Sequence, residues 1–117
     1  MIDPIVAALL KDMRDEANSA MRVVRGRTDA EIVADPDLSR SLAHSLMLIG
    51  EAANQTPAEF RLSHPELAWN EARGMRNRIV HGYRTVVPEF LIDTARRDLP
   101  SLIDQIDRIL VEGDQKA

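Results

Sequence analysis

The sequence contains no cysteine. That absence excludes disulfides, thiol nucleophiles and thiolate-bound zinc together. Aromatic side chains are scarce: Phe60, Trp69, Tyr83 and Phe90 are the full set, too few for a β-rich core. Lysine is nearly absent, with Lys11 and Lys116 the only two among 15 basic residues. No apolar run approaches the roughly 20 residues of a membrane span. The N-terminal Met1-Ile2-Asp3-Pro4 lacks the basic-then-apolar pattern of an export signal, so the expected location is the cytoplasm, with no membrane partner.

What is present has the balance of one globular domain. The chain has 117 residues, 44% hydrophobic and 29% charged. A chain of this size buries about two-thirds of its unfolded surface, enough for a core without staples. A single domain over 1–117 is expected, with a polar tail from about 112 fraying at its end. The net charge of −4 argues against a protein that coats nucleic acid over its whole surface. The charge is unevenly spread, however. Thirteen of the 15 basic residues are arginine, whose planar fork suits phosphate and carboxylate. From Arg73 to Arg84 there are four arginines, at 73, 76, 78 and 84, and no acid. An anionic ligand is to be sought there.

Periodicity is helical almost throughout. Asp3 before Pro4 reads as an N-cap and a first-turn proline. Ile5, Leu9, Met13, Ala17, Met21 and Val24 then recur at steps of three and four, and Gly26 offers a C-terminal stop. These mark a first helix over about 4–25. Thr28-Asp29-Ala30-Glu31 fits a capping box for a short turn of helix. Asp35-Pro36 opens a second long helix over about 36–54, with Leu38, Leu42, Leu46, Ile49 and Ala53 along one side. Thr56-Pro57-Ala58-Glu59 repeats the capping logic for a brief helix carrying Phe60 and Leu62, which His64-Pro65 breaks. Trp69 leads into a third long helix over about 70–81, with Ala72, Met75 and Ile79 inward and Gly82 at its end. The last spans about 88–112, with Leu99, Leu102, Ile103, Ile106, Ile109 and Leu110 as its stripe. Pro100 is expected to kink or split it. Four main amphipathic helices plus short ones, joined by short links, make an all-α antiparallel bundle. Val6, Leu10, Met47 and Leu48 are apolar beyond the counted stripes, a surplus that suits either a wide core or a dimer face.

The stretch Arg76-Asn77-Arg78-Ile79-Val80-His81-Gly82-Tyr83 carries the chemistry. It joins guanidinium, amide, imidazole and phenol within eight residues. Asn77 and His81 share a helical face, where a hydrogen bond between them would fix the imidazole tautomer, and Arg73 lies on the same stripe. Arg76 and His81 stand roughly 140° apart around the axis and flank a groove. A left-handed Gly82 would swing Tyr83 beside His81. With no carboxylate in the set, neither a glycosidase pair nor a hard-metal site is indicated. With a single histidine and no HExxH string, zinc is not indicated either. The set does suit phosphodiester cleavage. A 2′-hydroxyl attacking its own phosphate needs proton transfer, which imidazole supplies near neutral pH, and cations over the phosphoryl oxygens, which arginine supplies. No cofactor is required.

These residues resemble the Arg-x4-His-x-Tyr signature of HepT-like proteins in the HEPN superfamily. Trp69, the block Gly74-Met75-Arg76-Asn77, the block Ile49-Gly50-Glu51-Ala52-Ala53 and the ending Asp98-Leu99-Pro100 with Leu102 are similar to that family too. The resemblance covers about residues 3–110. It implies an all-helical homodimer whose signature residues meet in a cleft between subunits. It implies a metal-independent endoribonuclease toxin, paired with an MNT-type nucleotidyltransferase antitoxin that transfers AMP onto the signature tyrosine. By position, Arg76 and His81 become the catalytic pair and Tyr83 the AMPylated residue. Asn77 takes the amide position beside the signature arginine, and Glu51 an acidic position that would orient Arg76 across the bundle. Apart from the resemblance, the local charge makes Arg73, Arg78 and Arg84 a basic face for RNA phosphate, with Arg73 and Arg78 solvated and attracting RNA without specific contact.

Each residue also has a plainer reading. His81 would suit a helix C-terminus as a cation. Arg76 with Glu51 would close the bundle as an ion pair, or Glu51 would be a surface acid. Tyr83 would serve as an amphipathic rim residue, and Trp69 as a core anchor. His44 and His64 carry no pattern that implies a ligand site. A non-catalytic module that binds a nucleotide or docks a nucleotidyltransferase is the alternative function.

Overall fold

A computed structural model describes residues 2–82 and 84–116. Its elements are α1 (Pro4–Val24), α2 (Asp29–Val33), α3 (Pro36–Gln55), α4 (Ala58–Ser63), α5 (Trp69–Gly82) and α6 (Pro88–Lys116), and the described residues form no strand. The four long helices make the bundle, and α2 and α4 are the short pieces between them. None of the helices is long and apolar enough to cross a membrane.

The ends follow from local chemistry. Asp3 accepts a hydrogen bond from the Ile5 amide at 2.7 Å, and Asp35 one from the Asp37 amide at 3.0 Å, each just ahead of a first-turn proline. At the end of α1, Gly26 takes φ 74°, the left-handed conformation that a side chain would strain. Thr28 and Glu31 complete the capping box of α2. The amide of Thr28, donating to the Glu31 carboxylate, holds that carboxyl below its ordinary pKa. α1 would otherwise leave carbonyls unpaired at its C-terminus. Arg27 donates to the carbonyls of Arg22 and Val23, and Arg96 of α6 donates to those of Val24 and Arg27 while pairing with Asp29 at 3.0 Å.

α3 is the central helix, packed against α1 on one side and α5 on the other, while α1 also packs against α6. Leu10, Met13, Val24, Ile32, Leu42, Ile92 and Ile106 are fully enclosed between them. Glu51 of α3 meets Arg76 of α5, and Asn54 meets Arg73. As one helix advances the other retreats, so the two run antiparallel.

Several expectations need correction. On α1 the buried column is Val6, Leu10, Met13, Ala17, Met21 and Val24, whereas Ile5 is 72% exposed. The helix answers to two neighbours, α3 and α6, so its apolar stripe is wide: Met13, Ala17, Met21 and Val24 are buried as counted, and at the N-terminal end Val6 and Leu10 carry the burial. Val6 and Leu10 are therefore core residues and not a surplus. Thr56 does not cap α4; its buried hydroxyl donates to the Ala52 carbonyl at 2.8 Å and closes α3, leaving Pro57 at the start of α4 with no side-chain cap. Leu62 is 80% exposed. Gly82 is not left-handed, because the amides of Thr85 and Val86 bond back to its carbonyl at 2.9 and 3.1 Å and prolong the right-handed turn. α6 is not split; it runs through Pro100, which lacks only the donor aimed at one carbonyl a turn earlier, and continues to Lys116. Its first turns, Leu91, Ile92 and Ala95, are also core, beyond the stripe counted from Leu99 onward.

Arg96 gives a direct test of the α1–α2–α6 junction. Arg96→Ala should cost about 1–2 kcal/mol, because it strips charge-assisted donors from two carbonyls. Arg97→Ala removes only exposed pairs with Asp93 and Asp98 and should stay within about 0.5 kcal/mol of the parent. Urea denaturation of both variants checks the difference.

Candidate active site

The site is built on one close helix crossing. A side chain on Gly50 would collide with Arg76 Cβ and come within 2.5 Å of the Ala72 carbonyl oxygen. Only hydrogen fits at that point, and the backbones of α3 and α5 approach accordingly. The next residue of α3, Glu51, is thereby set against the next turn of α5. Its Oε1 lies 2.7 Å from Arg76 Nε, with side chains 36% and 26% exposed respectively. That Nε is shielded from solvent and its N–H is not aligned for a hydrogen bond, so charge attraction holds the pair. The far end of the guanidinium donates from Nη1 to Asn77 Oδ1 at 3.0 Å. Arg76 is thus held from both ends, by an acid on α3 and an amide on its own helix.

One turn away the arrangement repeats. Arg73 Nε donates to Asn54 Oδ1 at 2.9 Å. Arg73, Arg76 and Asn77 lie within one sector of α5, and His81 follows one turn after Asn77, roughly 140° around the axis from Arg76. His81 stands exposed at the C-terminal end of the helix and makes no hydrogen bond or ion pair among the described residues.

The structure therefore brings Glu51, Arg76 and Asn77 together and leaves His81 apart from them within one chain. The expected Asn77–His81 hydrogen bond is not made; the Asn77 oxygen accepts from Arg76 instead. Arg78 points away from Arg73, roughly 140° around the helix. Its guanidinium carbon sits 3.8 Å above the centre of the Phe90 ring, in the groove between α5 and α6. Arg84 is exposed in the turn that follows α5. Tyr83 lies outside the described residues. Trp69 is 6% exposed and donates from its indole to the His64 carbonyl at 2.8 Å, so it is an anchor and not a stacking platform. His64 stacks on Phe60 with ring centres 4.2 Å apart. No cluster of three potential metal ligands exists among the described residues.

The arrangement is an open edge. Grooves of about 580, 570 and 710 Å³ lie among the described residues, and neither Arg76 nor His81 lines these. An edge with fixed cations and a free imidazole can grip an anionic diester and move a proton beside it. Asn54 belongs to none of the sequence motifs. Its only signal is positional: it lies three residues after Glu51 on a helix whose antiparallel neighbour carries arginine three residues before Arg76.

Comparison with known proteins bears on the same residues. The family model described as "Ribonuclease HepT-like" matches residues 13–109. A candidate RNase of Caldanaerobacter subterraneus subsp. tengcongensis is 34% identical over 101 residues, covering 86% of this chain and 90% of its own. A candidate ribonuclease HepT of Thermococcus cleftensis is 30% identical over 79 residues, covering 68% of this chain and 72% of its own. A candidate RNase of Methanocaldococcus jannaschii is 25% identical over 113 residues, covering 95% and 93%. No solved structure matches the chain.

The two helical glycines of this region should respond oppositely to a methyl group. Gly50→Ala should destabilise by about 1–3 kcal/mol, as overpacking pushes α3 from α5. Gly74 lies mid-helix, with no atom within 4 Å of the point a methyl group would occupy. As alanine it should gain about 0.5–1 kcal/mol. Thermal and urea unfolding of both variants checks the sign.

Proposed function

The chain belongs to the HepT-like ribonuclease family, and from that premise we propose that it is a metal-independent endoribonuclease toxin acting at a cleft between two copies of itself. The observation that carries this reading is a contrast on one helix: Arg76 is held by Glu51 beside Gly50, while His81 is exposed and makes no hydrogen bond or ion pair among the described residues. A held cation and a free imidazole are what phosphodiester transfer requires. In the proposed step the RNA 2′-oxygen attacks the adjacent phosphorus and the bond to the 5′-oxygen breaks. The products are a 2′,3′-cyclic phosphate and a 5′-hydroxyl. The nucleophile must lose a proton and the leaving oxygen must gain one. One chain presents one imidazole at this edge, and a second copy across the cleft supplies another. Arg76 holds the charge that gathers on the phosphoryl oxygens. Glu51 and Asn77 position Arg76, and Arg73, Arg78 and Arg84 supply the surrounding positive field.

In this reading the partner is an MNT-type nucleotidyltransferase antitoxin, which moves AMP from ATP onto the Tyr83 hydroxyl and releases pyrophosphate. The added anion sits two residues from His81, where it repels an RNA phosphate and fills the cleft. The reaction takes place in the cytoplasm and needs no cofactor of its own. One observation favours the non-catalytic alternative: the guanidinium of Arg76 already has a carboxylate partner, as a purely structural arginine would.

Two measurements test these readings. RNA cleavage by the purified protein should persist in EDTA and fall at least 100-fold in His81→Ala, with helicity and oligomeric state unchanged. Absence of turnover in the parent protein between about pH 5 and 9, around the range in which imidazole changes charge, would favour the docking module. Incubation with the cognate nucleotidyltransferase and ATP should add one AMP mass at Tyr83, read by peptide mass spectrometry, and Tyr83→Phe should block the addition. Modification at another residue overturns that assignment.

A further inference from the structure

Resting on the ribonuclease reading, the geometry points to a second, built phosphate contact: we propose that Asn54 is a positioning residue that aims Arg73 at the phosphate next to the scissile one. The argument starts from the repeat along the α3–α5 edge. Glu51 holds Arg76, and three residues on, Asn54 holds Arg73 through Nε at 2.9 Å. A single hydrogen bond on Nε leaves both terminal nitrogens of Arg73 without a partner among the described residues, and a guanidinium takes phosphate oxygens through such paired N–H groups. Arg73 and Arg76 are three residues apart, ~4.5 Å along the helix axis. Side chains of arginine length splay from that spacing to consecutive phosphates of one strand. The partners also differ in a way that suits two roles. Arg76 is anchored by a carboxylate, so its position is strict. Arg73 is oriented by a neutral amide, so it keeps its full charge for a ligand. Arg78 has turned onto Phe90, and that leaves Arg73 as the oriented cation beside Arg76. The substrate class follows: a single-stranded RNA running along this edge, bound through at least two successive phosphates. Such contacts set register and carry no sequence preference.

The test uses the full chain and a fluorescently labelled 2′-O-methyl oligoribonucleotide of mixed sequence, which binds without being cut. Affinity is read by anisotropy across a salt series. Arg73→Ala should weaken binding roughly three- to tenfold and flatten the plot of log affinity against log salt by ~0.7, the value for one lost phosphate contact on a single strand. Asn54→Asp places a carboxylate on Arg73 and should flatten the plot similarly. Asn54→Ala keeps the charge but frees the side chain, so affinity should fall with the slope unchanged, and KM for a cleavable RNA should rise with kcat unchanged. A purely structural Asn54 would alter unfolding without separating affinity from salt slope in this way. A parental affinity and slope in Arg73→Ala overturns the proposal. Parental behaviour of Asn54→Ala beside a weakened Arg73→Ala removes Asn54 from it. Binding that follows this pattern in a protein that cuts no RNA overturns the ribonuclease reading and leaves the phosphate contact standing.

Discussion

The structure depends on one missing side chain. At Gly50 the backbone of α3 comes so close to α5 that no Cβ can stand between them. Everything chemically informative follows from that approach. Glu51 is carried to Arg76, Asn54 is carried to Arg73, and the two helices lock in one antiparallel register. A larger residue at that point would leave the same four polar groups on the same two helices, but out of reach of one another. Helix packing here acts as an alignment device for charge as much as a means of burying apolar area.

The electrostatics are arranged along the same line. The protein is acidic overall, yet its basic stretch lies in a single helix and the turn after it. Arginines of that stretch are sorted by their neighbours. Arg76 faces a carboxylate, Arg73 an amide and Arg78 an aromatic ring. Each partner leaves a different share of the guanidinium charge and a different freedom of movement. Residues of identical type, a few positions apart, thereby take on different duties. Elsewhere arginine serves the fold: Arg96 and Arg27 close the end of α1 by answering its last carbonyls.

Much of the architecture was legible in the chain because its signals are local. Asp-Pro pairs, a capping box and a Gly stop each act within a few residues, and the structure uses Asp3, Asp35, Thr28–Glu31 and Gly26 as those patterns suggest. The departures share one cause, which is a competing partner beyond the local window. Thr56 carries the residue type of a cap, yet it is buried and takes the nearest carbonyl, Ala52. Ile5 fits the periodic stripe of α1, yet the stripe is shared between two neighbours and at its N-terminal end Val6 and Leu10 carry the burial. Gly82 permits a left-handed stop, but the following amides hold it in the right-handed turn. Asn77 and His81 stand four apart, yet the Asn77 oxygen accepts from the guanidinium of Arg76 and the two side chains make no hydrogen bond.

The sequence by itself determined the helices, the caps of the first two long ones and of α2, the family and the residue types gathered between Arg73 and Arg84. Hydrogen-bonding and apolar periodicity operate over one or two turns and are written in adjacent letters. Only the tertiary structure decided which arginine meets which partner, that Asn54 belongs beside Arg73, and that Arg96 of the last helix completes the first. Those pairings depend on where two helix backbones cross. That crossing depends on how closely they approach, a property of Gly50 and the residues opposite it together.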